Sequence, residues 1–221
     1  MKQKLLVLCG GQSSEHIVSR MSCTSVLNNL DANKYEITLV GIDLDGGWHY
    51  LDAKQTDLAK NTWLDNSSMV EDVYGLLKNQ DVAFPVLHGM YGEDGRLQTL
   101  LEMLEIPYTG SGMLASALGM DKAASKRIMQ AAGIATPKSL IFVKGETHDF
   151  CGEILSAFKK MPVVVKPATQ GSSIGVEIVK NDTDINSAME KAFTYSREVV
   201  VEEFIQGKEP VSYTHLTLPT K

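Results

Sequence analysis

Two short apolar runs, each broken off by glycines and a polar loop just ahead of a helical stretch, constrain this chain more than any other feature. Residues 5–8 (Leu5-Leu6-Val7-Leu8) run into Gly10-Gly11-Gln12-Ser13-Ser14-Glu15-His16. Residues 82–87 (Val82-Ala83-Phe84-Pro85-Val86-Leu87) run into His88-Gly89-Met90-Tyr91-Gly92-Glu93-Asp94-Gly95. Runs of this kind read as buried strands. Helical spacing follows over 17–30, through Ile17, Met21, Val26, Leu27 and Leu30, and again over 96–104, while 36–42 alternates like a strand. Such βα alternation predicts an open, mostly parallel sheet with helices on its faces. Ligands of these sheets gather at the carboxyl ends of the strands, so the loops 10–15 and 88–95 are expected to face one crevice. Asp45-Gly46-Gly47 predicts a hairpin turn between short strands, and 54–72 reads as loop with at most one short helix.

The texture changes at Gly110-Ser111-Gly112, where a domain boundary is expected. Helices over 113–120 and 121–132 follow, with Gly133 as the stop of the second. Strands at 139–143, 163–166, 176–179 and 198–201, with helices at 149–160 and 182–195, then predict a small α+β domain with a largely antiparallel sheet. Asp182 and Thr183 are cap candidates for the last helix. Within this half, Val163-Val164-Val165-Lys166 leads a lysine out of a strand into Gly171-Ser172-Ser173-Ile174-Gly175. Glycines at both ends of a hydroxyl-rich turn let backbone N–H groups approach an anion, and Lys166 supplies a charge beside it. Taken alone, the run also fits a surface hairpin with a solvated lysine. It lacks the Gly-Lys-Ser/Thr of a P-loop.

Composition excludes more than it selects. With 221 residues, 43% hydrophobic and 22% charged, the chain has the make-up of an ordinary globular protein of one large or two small domains. A net charge of −6 disfavours nucleic acid or an anionic membrane as partner. Cys9, Cys23 and Cys151 form neither a disulfide framework nor a metal-ligand spacing, which suits a reducing cytosol. The apolar run behind Lys2 and Lys4 is five residues long, short of the ~7–15 of a signal sequence. No stretch approaches the ~18 apolar residues of a membrane span, so a soluble, cytoplasmic protein is expected.

The glycine-rich loops after residues 8 and 87, Thr109-Gly110-Ser111-Gly112 leading into Met120-Asp121-Lys122, the 163–176 run, and Glu202-Glu203-Phe204-Ile205 with Glu209 stand in one order and spacing. Together they resemble the D-alanine–D-alanine ligases of the ATP-grasp superfamily, over about residues 5–209. The resemblance implies a βα domain at 1–110, a central ATP-grasp subdomain at 111–201, and the start of a C-terminal ATP-grasp domain at 202–209, the rest of which is largely missing. It also implies the reaction: ATP phosphorylates the carboxylate of one D-alanine, and the amine of a second attacks the acyl phosphate. D-Lactate or D-serine as second substrate, and a non-catalytic nucleotide- or amino-acid-binding module, are the alternatives.

By the same resemblance, Glu15 pairs with the ammonium of the first D-alanine, His88 stands near that substrate, and Ser172 positions the glutamate and the substrate. Read alone, Glu15 is a first-turn glutamate favourable with its helix dipole. Lys122 and Lys166 match the phosphate-contacting lysines, in a glycine-rich cradle that includes Gly171 and Ser173. Lys126 fits the family run beside Lys122. Glu202, Glu203 and Ile205 match the adenine-reading segment, and Glu209 the ribose contact. Glu93 and Asp94 read as helix caps rather than as catalytic acids. The cofactor implied is ATP with Mg2+ or Mn2+, the metal ligands being absent from this chain. The partners are small molecules, D-alanine and ATP, and a homodimer is implied.

Residues 210–221 (Pro210 to Lys221) depart from the family pattern and resemble a read-through tail, a divergent native C-terminus being the alternative. Without a second sheet behind the nucleotide, the strand 198–201 is expected to be insecure and the chain itself to be inactive.

Overall fold

A computed structural model describes residues 2–207. In chain order the first half contains β1 (Gln3–Gly10), α1 (His16–Asn29), β2 (Tyr35–Ile42), β3 (Trp48–Leu51), β4 (Ser68–Met69), α2 (Val73–Lys78), β5 (Val82–Pro85) and α3 (Arg96–Met103). The strands order as β4-β3-β2-β1-β5. β1 runs parallel to both β2 and β5, whereas β3 and β4 add antiparallel at one side. Residues 5–10 of β1 are buried throughout because helices cover both faces. Leu6 and Leu8 join Leu76, Leu77, Leu97 and Leu101 on one face, and Leu5, Val7 and Cys9 join Cys23, Leu39 and Trp63 on the other. The expected hairpin forms where Asp43 accepts from the amides of Asp45 (2.9 Å) and Gly47 (2.7 Å).

α1 corrects the apolar spacing read for it. The helix forms, but Ile17 and Met21 are exposed, while His16, Ser19, Arg20 and Cys23 are buried. The buried stripe has the same i, i+3, i+4, i+7 period carried by polar side chains whose bonds are met. Ser19 Oγ donates to the Val86 carbonyl (2.6 Å) and accepts from Gly10 N (2.8 Å). Arg20 donates to the carbonyls of Leu58 and Lys60, both at 2.8 Å, and its guanidinium lies 4.7 Å from the Trp63 ring centre. α2 is an element that the apolar pattern did not assign; Asp72 caps it by accepting from Gly75 N at 2.8 Å.

The second half contains α4 (Met113–Met120), α5 (Lys122–Ala131), β6 (Ser139–Val143), α6 (Phe150–Phe158), β7 (Val163–Pro167), β8 (Glu177–Val179), a 3-10 turn (Asp182–Asp184), α7 (Ile185–Phe193) and β9 (Glu198–Glu203). Asp121 separates α4 from α5 by accepting from Ala124 N at 2.9 Å. Gly133, with φ of 74°, ends α5: its amide bonds to the Gln130 carbonyl and that of Ile134 to Met129, a Schellman closure. Asp182 and Thr183 lie in the 3-10 turn, so the residue flanking α7 is Asp184, with no side-chain cap bond.

The second sheet, β6-β9-β7-β8, is antiparallel at every pairing. β9 is an interior strand, held on both sides, and Val199, Val200 and Val201 are fully buried. The insecurity expected for residues 198–201 is therefore not seen, because β6 and β7 supply both hydrogen-bonding partners. β9 also runs on to Glu203, which makes Glu202 and Glu203 the last residues of this sheet. Val199 and Val201 face α6 and α7, while Val200 packs against Ala123 of α5. Alternation then places Glu202 on the α5 side.

Candidate active site

β1 ends in two left-handed glycines, Gly10 (φ 88°) and Gly11 (φ 94°); a Cβ at Gly10 would strike the Ile42 carbonyl. The loop that follows delivers Glu15 to the position flanking the start of α1, with its amide bonded to Ser13 Oγ at 3.0 Å. Its carboxylate accepts from Ser172 Oγ at 2.6 Å, across 157 positions of sequence. Gly89, with φ of 72°, passes so close that a Cβ there would lie 2.8 Å from both Glu15 Oε2 and Ser13 Oγ. The loops after β1 and β5 and the turn after β7 thus meet at one carboxylate. They border a hollow of about 190 Å³, to which Met90, Met120, Gly171, Ile174 and Tyr195 also contribute.

His88 stands elsewhere. It lines an adjoining hollow of about 610 Å³ between β5, α3 and α4, with Nε2 3.1 Å from Ser22 Oγ and Nδ1 3.8 Å from Glu93 Oε1. Glu93 and Asp94 shape that loop. Glu93 accepts from Gly89 N (2.9 Å); Asp94 accepts from the amides of Tyr91 (2.8 Å) and Arg96 (3.2 Å), the latter the first helical amide of α3. Gly95 occupies the cap position of α3, and of the two acids only Asp94, just before it, accepts from a helical amide.

A third hollow, about 710 Å³, gathers Lys122, Lys166, Gly171, Ser173, Glu202, Glu203 and Ile205. Met120 borders all three. The turn between β7 and β8 holds two non-glycine residues in left-handed backbone, Ser172 (φ 46°) and Ser173 (φ 59°), each costing on the order of 1–2 kcal/mol. Bonds from Ile174 N to the Gly171 carbonyl (3.0 Å) and from Val176 N to that of Ser173 (3.2 Å) hold the turn in place. Strain retained in a fixed turn is a mark of functional sites.

The cleft's charges are arranged in layers. Lys122, at the first turn of α5, donates to the Gln170 carbonyl, and burial, reinforced by the nearby Lys166 charge, holds its ammonium below the ordinary lysine range. Lys166 pairs with one oxygen of Glu202, and Lys126 pairs with the other at 2.9 Å. Burial alone would raise the Glu202 carboxyl, but the bonds from Lys166 and Lys126 outweigh it and hold the group below the usual carboxylate range. Both Glu202 oxygens are thus engaged by lysines. Glu203 Oε1 is similarly engaged, by the Lys138 amide at 2.8 Å. Glu209 and the 210–221 segment lie outside the described residues. Among the described residues no group of three or more His, Cys, Asp or Glu side chains is placed to hold a metal ion.

The sequence model described as the D-ala D-ala ligase N-terminus matches residues 4–111. That described as the D-ala D-ala ligase C-terminus matches residues 128–212. The chain belongs to the D-alanine–D-alanine ligase family. The second match ends at residue 212, close to Glu209, where the motifs run out. A D-alanine–D-alanine ligase of Acetivibrio thermocellus is 38% identical over 94% of this chain and 63% of its own length. Among solved structures, the VanG D-Ala:D-Ser ligase of Enterococcus faecalis aligns with a TM-score of 0.81 at 34% identity, covering 94% of this chain and 64% of that one. A D-alanine–D-alanine ligase of Bacillus anthracis complexed with ATP aligns with a TM-score of 0.71 at 37% identity, over 93% and 60%. The chain thus spans somewhat under two thirds of the length of these relatives.

Proposed function

We propose that this chain carries the first-substrate site and the phosphate-binding lysines of an ATP-dependent carboxylate–amine ligase that joins two D-alanines for peptidoglycan precursor synthesis. Glu15 receives the ammonium of the first D-alanine, and Ser172 holds that carboxylate in place. Lys122 and Lys166 neutralise the phosphates of ATP as the D-alanine carboxylate becomes an acyl phosphate. The amine of the second D-alanine then attacks the acyl carbon, and phosphate departs from the tetrahedral intermediate. The observation that carries this reading is the 2.6 Å bond from Ser172 to Glu15. It ties the Glu15 carboxylate to the turn whose other side borders the lysine cleft, so ammonium and phosphate sites share one wall.

The test uses residues 1–207 followed by the remaining segment of the Acetivibrio thermocellus relative. Glu15→Gln removes one charge from the ammonium site, a contact worth about 1.5–3 kcal/mol, and should raise the D-alanine requirement while leaving ATP binding near the parent's. Unchanged D-alanine kinetics would remove Glu15 from the site. Overall likeness does not choose the second substrate, since identity is 38% to a D-alanine–D-alanine ligase and 34% to a D-Ala:D-Ser ligase. Supplying D-serine or D-lactate beside D-alanine and identifying the product decides it. A cytoplasmic homodimer is part of the same proposal. Supporting the location, Cys9 and Cys23 are free and buried, and no helix among the described residues is long and apolar enough to cross a membrane. Sedimentation of the chimera tests the dimer.

A further inference from the structure

Lys126 stands one helical turn after Lys122 on α5, yet it lies behind the cleft wall. Its side chain is only 8% exposed, and burying an ammonium is costly unless it is paired and hydrogen-bonded. Both conditions are met: Nζ lies 2.9 Å from Glu202 Oε1 and donates to the Pro137 carbonyl at 2.8 Å. Pro137 itself borders the cleft. Glu202 is also largely buried, and its second oxygen receives Lys166.

We propose that Lys126 is a positioning residue of the nucleotide cleft, fixing through Glu202 where the Lys166 ammonium stands. The carboxylate is held at both oxygens, one on each ammonium, so it cannot rotate without breaking the Lys126 bond. Lys166 on β7 and Glu202 on β9 are diagonal neighbours on one sheet face, because Val164 is the register partner of Glu202 and Val200 that of Lys166. Lys126, from the helix above that face, locks the pair. It also contributes to the charge of the site: Lys122, Lys126 and Lys166 against Glu202 and Glu203 leave one positive charge. With Lys126 replaced by a neutral side chain none remains, and Glu202 is left as counter-ion to Lys166 alone. An anionic phosphate chain would then compete with Glu202 for a mobile lysine instead of meeting a fixed one. This inference rests on the nucleotide reading of the cleft.

The test uses the full 221-residue chain with its lysines labelled with nitrogen-15, so that NMR reads the Lys166 ammonium directly, first free and then with ATP up to millimolar concentration. Lys126→Met should move and broaden the Lys166 signal without ligand, and weaken ATP binding by roughly tenfold. Lys126→Arg, which keeps the charge and can reach Glu202, should recover most of both. Lys34→Met, at an exposed lysine, should do neither. The proposal is overturned if Lys126→Met leaves the Lys166 signal unchanged, or if Lys126→Arg restores folding but not ATP affinity. Should Lys126→Met fail to fold, acid titration of the unaltered chain decides instead. Protonating Glu202 should shift the Lys126 and Lys166 signals in one step with a common midpoint, and separate midpoints overturn the proposal. If neither the unaltered chain nor the chimera shows a response of Lys122 and Lys166 to ATP, the nucleotide reading fails, while the ligand-free response to Lys126→Met still decides the positioning role.

Discussion

Arg20 joins the buried polar stripe of α1 to the loop at residues 58–63, and replacing it tests whether that stripe anchors the helix. The residue is 5% exposed, and its guanidinium donates at 2.8 Å to both the Leu58 and Lys60 carbonyls while lying over Trp63. Arg20→Met keeps most of the aliphatic stem and removes all three interactions. Charged hydrogen bonds contribute about 1.5–3 kcal/mol each and a cation–π contact about 0.5–2 kcal/mol, offset by the desolvation that methionine no longer suffers. A net loss of about 2–3 kcal/mol follows, since two loop carbonyls are left without donors. With a urea slope of roughly 2 kcal/mol/M, the unfolding midpoint should fall by about 1 M, read from the fluorescence of Trp63 and Trp48. Arg20→Lys, which keeps charge but loses the fork, should fall between the two. A methionine variant within about 0.5 kcal/mol of the parent, or a lysine variant equal to the parent, would refute the reasoning.

Further outcomes follow from the site. Glu202 is held below the usual carboxylate range in the fold, so its contribution is complete above that range and disappears as pH falls through the lowered value. The stability gap between the parent and Glu202→Gln should therefore close on acidification; a gap independent of pH would contradict the Lys126–Glu202–Lys166 account. Gly89→Ala places a Cβ against Glu15 and Ser13 at a left-handed φ, and in the chimera should raise the D-alanine requirement more than that for ATP. Equal effects on both substrates would dissociate Gly89 from Glu15. Lys166→Ala and Lys122→Ala should each slow the ATP-dependent step, whereas Lys34→Ala and Lys78→Ala should not, and equal losses from all four would point to a general charge effect.

The strands ahead of the two glycine-rich loops were legible because their runs are uniformly apolar; β5 ends at Pro85, two residues short of the apolar run, whereas β1 stops at its glycines. Gly133 was legible as a helix end for the same local reason. The buried face of α1 was not, because Ser19 and Arg20 are satisfied by carbonyls 67 and 38 positions away, which no local pattern contains. β9 looked like a strand at the edge of something missing, yet its partners β6 and β7 both precede it in sequence. The site motifs singled out Glu15, Ser172, Lys122 and Lys166, and the first two are directly bonded. They also singled out His88, whose ring turns toward Ser22 and Glu93. The lysine partners of Glu202 were not legible, because Lys126 and Lys166 stand 76 and 36 positions before it in sequence. The i, i+4 spacing of Lys122 and Lys126 was the one local sign of the lysine behind the wall.

The most direct test of the account is ATP turnover by the folded chimera of residues 1–207 with the remaining segment of the Acetivibrio thermocellus relative, measured with and without D-alanine. The account predicts phosphate release that requires D-alanine and yields D-alanyl-D-alanine, with Ser172→Ala and Glu15→Gln each raising the D-alanine requirement. Phosphate release indifferent to D-alanine, or dipeptide formation indifferent to both substitutions, would contradict it.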